Sequence, residues 1–198
     1  METKRIVFVG VGGQGNLLAT RLLGKACLAA GIPAVASEIH GMAQRGGIVE
    51  SALVMGARSP IVSKGEADIL MGFEPLETVR ALTKCNRNTV IITNLHPLPP
   101  FTVAIGQGAY PDIAKIVALI KDKVCSLITV DGDKLAAMAG NPLSLNMVML
   151  GALIGTKIVP LDEAILKETI SRTTRQAFLE ANLKAFDLGV AASRSFSL

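Results

Sequence analysis

The sequence predicts an α/β fold: a doubly wound, mostly parallel sheet with helices on both faces, Rossmann-like, in a single domain over residues 1–198. Short, continuous apolar runs such as residues 5–10, RIVFVG, are typical of parallel strands buried on both faces. These runs alternate with segments of helical periodicity, which is the pattern of a doubly wound sheet. The length of 198 residues is enough for one substantial core, and no repeat or linker is visible.

After the first strand, we predict a helix that Asn16 caps and that runs to about Leu28, with Gly31 in a left-handed conformation beyond its end. The next segment, PAVASEIHG, predicts a second strand ending at Glu38. A third strand, GGIVESALVMG, is expected at an edge of the sheet, because Glu50 and the serine after it interrupt its apolar run.

The middle of the chain predicts two further buried strands, ADILMGFE and NTVIITN, on either side of a helix, PLETVRALTKC, that Pro75 opens in its first turn. The following HPLPP must be a loop, because prolines lack the N–H donor and restrict φ.

The last part of the chain predicts five helices and one strand, SLITVDG. The helix PDIAKIVALIKDK has its apolar residues on one face, DKLAAMAG ends at Gly140, and SLNMVMLGALIG is apolar enough to be central. Asp162 is expected to cap EAILKETISRTTRQ. The final helix, RQAFLEANLKAFDLG, carries an apolar seam at helical spacing, namely Phe178, Ala181, Ala185 and Gly189.

The segment GVGGQG between the first strand and helix matches the GxGxxG dinucleotide-binding fingerprint. Its candidate binding residues are Gly10, Gly12, Gly13, Gln14 and Gly15. Such a turn lets backbone N–H groups at a helix N-terminus approach a phosphate or pyrophosphate. Close packing of the helix on the sheet explains the same glycines equally well. No GK[ST] follows, which excludes a P-loop nucleotide hydrolase.

A second candidate region is EIHGMAQRGGIVES, residues 38–51, expected beside the glycine turn at the carboxyl edge of the sheet. Glu38 is a candidate acceptor for ribose hydroxyls. The side chain of Arg45, followed by Gly46 and Gly47, suits a carboxylate, a phosphate or an acidic residue of a partner chain. The alternative is a glycine-permitted turn with a solvated arginine. His40 either titrates near neutrality or satisfies a local hydrogen bond.

Two asparagines are candidates to line the same crevice. Asn94 follows VIIT at the carboxyl end of a strand, and Asn146 lies in the apolar helix. A polar side chain in a buried helix needs hydrogen-bond partners. Asn146 therefore either ties two elements together or faces the glycine turn, whereas Asn182 is expected to make a packing contact.

Composition and motifs exclude several classes of function. The three cysteines are widely separated, without a CxxC pair, so neither a metal site nor an iron–sulfur cluster held by this chain alone is expected. The net charge of +4 is scattered, and there is one tyrosine and no tryptophan, which gives nucleic-acid binding little support. No serine–histidine–aspartate order, paired carboxylates or Schiff-base lysine is recognisable, and no catalytic residue is assigned.

The location is expected to be cytoplasmic, with no membrane association. No apolar stretch reaches the ~18 residues that would span a bilayer, and no cleavage site follows the first apolar run. Half of the residues are hydrophobic and 18% are charged. Either a partner subunit covers excess apolar surface, or the composition reflects an α/β core of small aliphatic side chains.

Five segments together resemble the gamma-type subunit of 2-oxoacid:ferredoxin oxidoreductases, the pyruvate/ketoisovalerate family. They are GVGGQG, SEIHGMAQRGGIVESALVMG, ADILMGFEPLETVRAL, NPLSLNMVMLGAL and ANLKAFDLG. The forms EIHGMAQRGG and FEPLETVR are most similar to the small (beta) subunit of indolepyruvate:ferredoxin oxidoreductase. The likeness covers essentially the whole chain, in the same order.

The resemblance implies a multi-subunit enzyme that oxidatively decarboxylates a 2-oxoacid with CoA to acyl-CoA and CO2 and reduces ferredoxin. It implies that thiamine diphosphate, magnesium and the iron–sulfur clusters lie on a large partner subunit, so that this chain binds no cofactor alone. It also implies that the glycine turn faces the partner's active-site region or a CoA-like phosphate. Gln44, Arg45, Gly46 and Gly47, with His40 before them, would form the neighbouring interface loop.

Two alternatives remain open at this point. One is a stand-alone NAD(P)-dependent oxidoreductase, supported by the glycine fingerprint and Glu38. The other is a regulatory nucleotide-binding module without catalysis.

Overall fold

The computed structural model describes residues 2–40, 47–100, 103, 105–194 and 196, and these form a six-stranded sheet covered by helices. The strands are β1 (Lys4–Val11), β2 (Ala34–His40), β3 (Ile48–Met55), β4 (Ala67–Gly72), β5 (Cys85–Asn94) and β6 (Ser126–Val130). The α-helices are α1 (Asn16–Ala29), α2 (Pro75–Arg80), α3 (Ile113–Lys123), α4 (Gly132–Ala139), α5 (Leu145–Gly155), α6 (Glu163–Thr173) and α7 (Gln176–Ser193). Two short 3-10 helices are Ala81–Lys84 and Pro142–Ser144.

The strand order is β2-β3-β1-β4-β5-β6. Strands β1, β4, β5 and β6 run parallel to one another, and β3 runs antiparallel to both of its neighbours, β2 and β1. The predicted doubly wound, mostly parallel α/β architecture is therefore confirmed. The carboxyl ends of the parallel strands share one edge of the sheet, where such folds place their ligands.

The predicted edge position of β3 is wrong, because β3 lies inside the sheet and β2 forms the edge. The polar residues that interrupt its apolar run have partners. The Ser51 hydroxyl lies 2.6 Å from that of Thr20 in α1, and the Glu50 carboxylate lies 3.5 Å from Lys84 Nζ. A buried polar residue with a hydrogen-bond partner is compatible with an internal strand.

Two apolar cores lie on the two faces of the sheet. Alternate residues of β1 supply both, since Ile6 and Phe8 belong to the first core whereas Val7 and Val9 belong to the second. The first core includes residues of α1, α4, α5, α6 and α7. The second packs α3 and the segment after α2 against the sheet. This alternation is why the run RIVFVG contains no polar position.

The central apolar helix α5 packs directly on α7 through glycines. All residues of α5 are buried, as its composition predicts. A Cβ atom added at Gly151 would lie 2.0 Å from the Phe186 carbonyl oxygen, and one added at Gly189 would lie 2.0 Å from the Val148 carbonyl oxygen. The two backbones are therefore too close for any side chain at these positions.

Several predicted boundaries need correction. Helix α1 begins at Asn16, with Gly15 as the residue before it, so the Asn16 side chain is not the cap. The amide of Asn16 is instead buried and donates to the Val49 carbonyl at 2.9 Å. Strand β2 continues past Glu38 to His40. Gly31 does adopt the expected left-handed conformation, with φ of +69°.

Three details of the later helices also differ from the prediction. Helix α2 ends at Arg80 and continues as a 3-10 turn. Asp162 precedes α6 but its side chain makes no capping hydrogen bond in the described structure. In the predicted seam of α7, Ala185 and Gly189 are buried and Ala181 is partly buried. Phe178 is half exposed because it lines an open groove near the start of the helix.

Among the residues that the structure covers, no helix combines the length and apolar character that a bilayer crossing requires.

Candidate functional site at the carboxyl edge of the sheet

The glycine turn, residues 10–15, connects the end of β1 to the start of α1. Gly13 and Gly15 have φ of +107° and +80°, a region that residues with a Cβ rarely adopt. Gly13 is exposed, and a Cβ added there would meet nothing within 4 Å. The backbone at Gly13 is therefore open to close approach by another molecule.

The side chain of Gln14 connects the glycine turn to the residue that follows β4. Its Oε1 accepts the Val11 N–H at 2.8 Å, and its Nε2 donates to the Phe73 carbonyl at 3.0 Å. A Cβ at Gly10 would lie 2.9 Å from both Gln14 Oε1 and Phe73 Cβ. The first glycine of the fingerprint is therefore required by packing of Gln14 and Phe73 inside the protein.

The last glycine of the turn contacts Asn146 of α5. A Cβ at Gly15 would lie 2.8 Å from Asn146 Nδ2. Asn146 is 4% exposed, and its Oδ1 accepts the Met147 N–H at 3.1 Å. The structure thus brings Asn146 to the glycine turn, as one of the two sequence-based alternatives expected.

Asn94, at the end of β5, is fully buried and ties three elements together. Its Nδ2 donates to the Phe73 carbonyl at 3.1 Å and to Asp133 Oδ2 at 2.8 Å. Its Oδ1 accepts the Gly132 N–H at 3.0 Å, at the start of α4. The Phe73 carbonyl therefore receives hydrogen bonds from both Gln14 and Asn94, which links the glycine turn to the ends of β4 and β5.

Of the segment predicted to form an interface loop, the structure describes the two ends, His40 and Gly47. His40 is the last residue of β2 and pairs with Val49 of β3. Gln44, Arg45 and Gly46 lie outside the described residues. At the other end of the loop, the Gly47 carbonyl accepts the Gly12 N–H at 2.9 Å. The structure thus brings Gly12 and Gly47 together.

Glu38 lies away from the glycine turn. In the sheet it is level with Ser51 of β3 and, across β3, with Phe8 in the middle of β1. Two strand spacings, roughly 9.6 Å, separate β2 from β1. Arg21 of α1 binds the Glu38 carboxylate with both Nε and Nη2, at 3.0 and 3.1 Å. The interpretation of Glu38 as a ribose acceptor finds no support in this arrangement.

Sequence reasoning missed a buried carboxylate next to the site. Glu74, 1% exposed, follows Phe73 and precedes α2. Its Oε2 accepts the Glu77 N–H at 2.9 Å, and its Oε1 accepts the Leu98 N–H at 3.2 Å and the Tyr110 hydroxyl. Burial and the Glu74 carboxylate raise the pKa of Tyr110. Glu is not a preferred capping residue, so only Pro75 signalled this helix start.

A second buried carboxylate, that of Glu77, lies inside α2, the helix that Glu74 precedes. Glu77 forms an ion pair with Arg80, and its Oε2 has no hydrogen-bond partner in the described structure. Burial raises the pKa of the Glu77 carboxyl, while the Arg80 guanidinium lowers it and the Glu74 carboxylate raises it. No sequence signal distinguishes this glutamate from an exposed one.

The cysteines are separate from this site and from one another. Cys27 and Cys85 are buried thiols, and burial raises the pKa of each to about 11. In the part of the chain that the structure describes, no three His, Cys, Asp or Glu side chains come together as a metal site.

Comparison with known proteins assigns the chain to a family. Residues 5–192 match the family model described as pyruvate ferredoxin/flavodoxin oxidoreductase. The chain belongs to this family. It is a subunit of a 2-oxoacid:ferredoxin oxidoreductase, as the resemblance of its motifs predicted.

Two relatives of similar length are both indolepyruvate oxidoreductase subunits. The indolepyruvate oxidoreductase subunit IorB of Pyrococcus horikoshii is 37% identical over 197 residues, 98% of each chain. The IorB subunit of Methanothermobacter thermautotrophicus is 37% identical over 189 residues, 95% of this chain and 96% of the relative.

Solved structures share the fold. The gamma subunit of a keto/oxoacid ferredoxin oxidoreductase from Geobacter sulfurreducens superposes with a TM-score of 0.70 at 21% identity, covering 96% of this chain and 98% of that one. The 2-oxoglutarate:ferredoxin oxidoreductase of Magnetococcus marinus, solved with 2-oxoglutarate, coenzyme A and succinyl-CoA, gives a TM-score of 0.75 at 21% identity. The match covers all of this chain and 32% of that longer chain.

Proposed function

We propose that this chain is the small subunit of a thiamine-diphosphate-dependent oxidoreductase that converts indolepyruvate, or another aryl or branched 2-oxoacid, with CoA to acyl-CoA and CO2 and reduces ferredoxin. The observation that carries the proposal is the identity of 37% to an indolepyruvate oxidoreductase subunit over 98% of both chains. The complex acts in the cytoplasm, and this chain forms one gamma-type domain over its full length.

In this proposal the chain completes the enzyme and carries no redox centre. Thiamine diphosphate, magnesium and the iron–sulfur clusters lie on the large partner subunit, and ferredoxin reaches the complex through it. The spacing of the cysteines supports this division, because Cys27, Cys85 and Cys125 are widely separated and form no CxxC pair of the kind that holds an iron–sulfur cluster.

The glycine turn is the proposed contact with the reactive centre. Gly13 offers open backbone, and Gln14 and Asn146 hold the turn on either side of it. A CoA-like phosphate or a segment of the partner approaches the turn there. The loop from His40 through Gln44, Arg45 and Gly46 to Gly47 flanks it, since Gly47 bonds to Gly12.

Co-expression tests the proposal. A tagged chain is expected to co-purify with its cognate thiamine-diphosphate-binding subunit and to be inactive and colourless alone. Arg45→Ala is expected to weaken assembly or turnover while leaving the melting temperature of the isolated chain nearly unchanged, because a loop arginine contributes little to a core. Failure to assemble with that subunit would refute the proposal.

The alternative functions have a direct test as well. A stand-alone NAD(P)-dependent enzyme would bind NADH or NADPH in calorimetric titration and lose that binding in Glu38→Ala. The pairing of Glu38 with Arg21 argues against it. A regulatory nucleotide-binding module would bind a nucleotide without assembling with a thiamine enzyme.

A further inference from the structure

A groove lies beside the glycine turn and has no role in the proposed function described above. It has a volume of about 330 Å³ and lies between the starts of α1, α5 and α7. We call it the Phe178 groove. Its lining residues include Leu18, Leu143, Asn146, Arg175, Phe178 and Asn182.

Three apolar side chains stand around the Phe178 groove in contact with water. Leu18 and Phe178 are each 48% exposed, and Leu143 is 82% exposed. Single exposed apolar residues are ordinary, but several around one concave site mark a surface that binds another molecule. Leu143 is so exposed that a small ligand filling the void would leave it largely in water. A polypeptide that covers the rim as well as the void fits better.

The floor of the Phe178 groove contains an unused hydrogen-bond donor. Asn146 is nine-tenths buried, and no acceptor within the described residues faces its Nδ2. The neighbouring Asn182 is satisfied, because its Oδ1 accepts the Ser144 hydroxyl at 2.7 Å and its Nδ2 donates to Thr174 Oγ1 at 3.4 Å. Among the described residues, Asn146 Nδ2 is not one of the side-chain atoms that are both buried and unpartnered. It therefore remains accessible from outside the protein and can donate to an occupant that brings a carbonyl oxygen.

The charge of the Phe178 groove is positive. Arg175 is the only charged residue among those that line it in the described structure. Charge complementarity across an interface favours a partner with an acidic group at this position.

We propose that the Phe178 groove receives a segment of the thiamine-diphosphate-binding partner subunit that presents an apolar side chain, a backbone carbonyl and a nearby carboxylate. The inference rests on the proposed function and adds the place and chemistry of the contact. Because Asn146 touches both the groove and Gly15, the docked segment lies against the glycine turn.

The test measures the affinity of the full-length chain for the cognate partner subunit. Leu143→Asp and Phe178→Asp are expected to raise the Kd roughly tenfold or more, as for a desolvated apolar anchor. The control is Leu119→Asp, on α3 at the other face of the sheet, where the leucine is 58% exposed. It is expected to leave the Kd unchanged. Binding by the wild type with no loss in the groove variants overturns this inference and leaves the proposed function standing, whereas no binding by the wild type refutes both.

A second measurement identifies the occupant. Arg175→Glu is expected to weaken partner binding and Arg175→Lys to retain most of it, with a smaller salt dependence in the glutamate variant. Sedimentation of the isolated chain checks whether a second copy takes the groove instead. Self-association that Leu143→Asp abolishes would overturn the proposal. A monomeric wild type that binds the partner subunit, together with weakened binding in the groove variants, would support it.

Discussion

Gln14 and Phe73 join the glycine turn to the end of β4: Gln14 Nε2 donates to the Phe73 carbonyl at 3.0 Å, while Gln14 Oε1 holds the Val11 N–H at 2.8 Å. The contact is possible only because residue 10 has no side chain. The shape of the turn is therefore set from within the protein, before any ligand or partner binds.

Replacing Gln14 by methionine keeps the volume of the side chain and removes both hydrogen bonds. We expect Gln14→Met to lower the free energy of unfolding by about 1–3 kcal/mol, since backbone groups at Val11 and Phe73 lose a partner. Urea denaturation of the isolated chain measures the change. Gln107→Met, at an exposed position, is the control and is expected to be neutral. Equal stability of Gln14→Met and wild type would contradict this role.

The two glycines with positive φ in the turn differ in their surroundings, which gives a matched pair. Gly13→Ala carries only the backbone strain, about 1–2 kcal/mol. Gly15→Ala adds a clash with Asn146, so it is expected to destabilise more. In a double-mutant cycle, Asn146→Ala should relieve part of the cost of Gly15→Ala and none of the cost of Gly13→Ala. Additive effects for the Gly15 pair would argue against the contact.

The close packing of α5 on α7 predicts a large effect of a single methyl group. Gly189→Ala would place a Cβ 2.0 Å from the Val148 carbonyl oxygen, so the helices must separate. We expect a loss of about 2–3 kcal/mol or more in the free energy of unfolding. Gly24→Ala, in α1, meets only Leu53 Cδ1 at an ordinary 3.5 Å. It should be neutral or stabilise by up to about 1 kcal/mol, and a similar loss in both variants would disprove the packing argument.

The buried carboxylate of Glu77 predicts a pH dependence of stability. Its pKa in the folded chain is raised by burial above the value of about 4.3 for an exposed glutamate. Below a pH of about 4.3, the Glu77 carboxyl is protonated in both the folded and the unfolded chain, so its burial carries no charge that would lower stability. As the pH rises through the raised folded pKa, the buried charge appears and stability is lost.

Glu77→Gln removes this titration. The variant is therefore expected to match the wild type near pH ~4 and to be more stable than it near pH ~7.5, as urea denaturation at the two values would measure. Glu180→Gln, on the exposed face of α7, is the matched control. A stability difference between Glu77→Gln and wild type that stays constant with pH would contradict the role of burial.

The fold could be predicted from the sequence because its signals are local. Continuous apolar runs marked β1, β4 and β5, and the helical period marked α3. The position of β3 could not be predicted, because the acceptability of Ser51 inside the sheet depends on Thr20, 31 residues away. The role of Asn16 was missed for the same reason, since its partner is the Val49 carbonyl.

The candidate site could be predicted in outline and not in its internal contacts. The glycine fingerprint marked the turn, and the place of Asn146 in α5 led us to expect it there. Asn94 was expected to line the same crevice, but it is fully buried and bonds to Phe73, Gly132 and Asp133 instead. Glu38 was misleading because the inserted strand β3 separates its strand from β1. Glu74 escaped notice because its three hydrogen-bond partners include Leu98 and Tyr110, which no short motif connects to it.

Reconstitution of activity tests the whole account most directly. Ferredoxin reduction that depends on a 2-oxoacid and CoA is measured for this chain alone, for the thiamine-diphosphate-binding subunit alone, and for that subunit titrated with this chain. The account predicts no turnover by this chain alone and a rate that rises with its addition until it saturates. Turnover of a 2-oxoacid by this chain alone, or a redox group that co-purifies with it in the absence of any partner, would contradict the account.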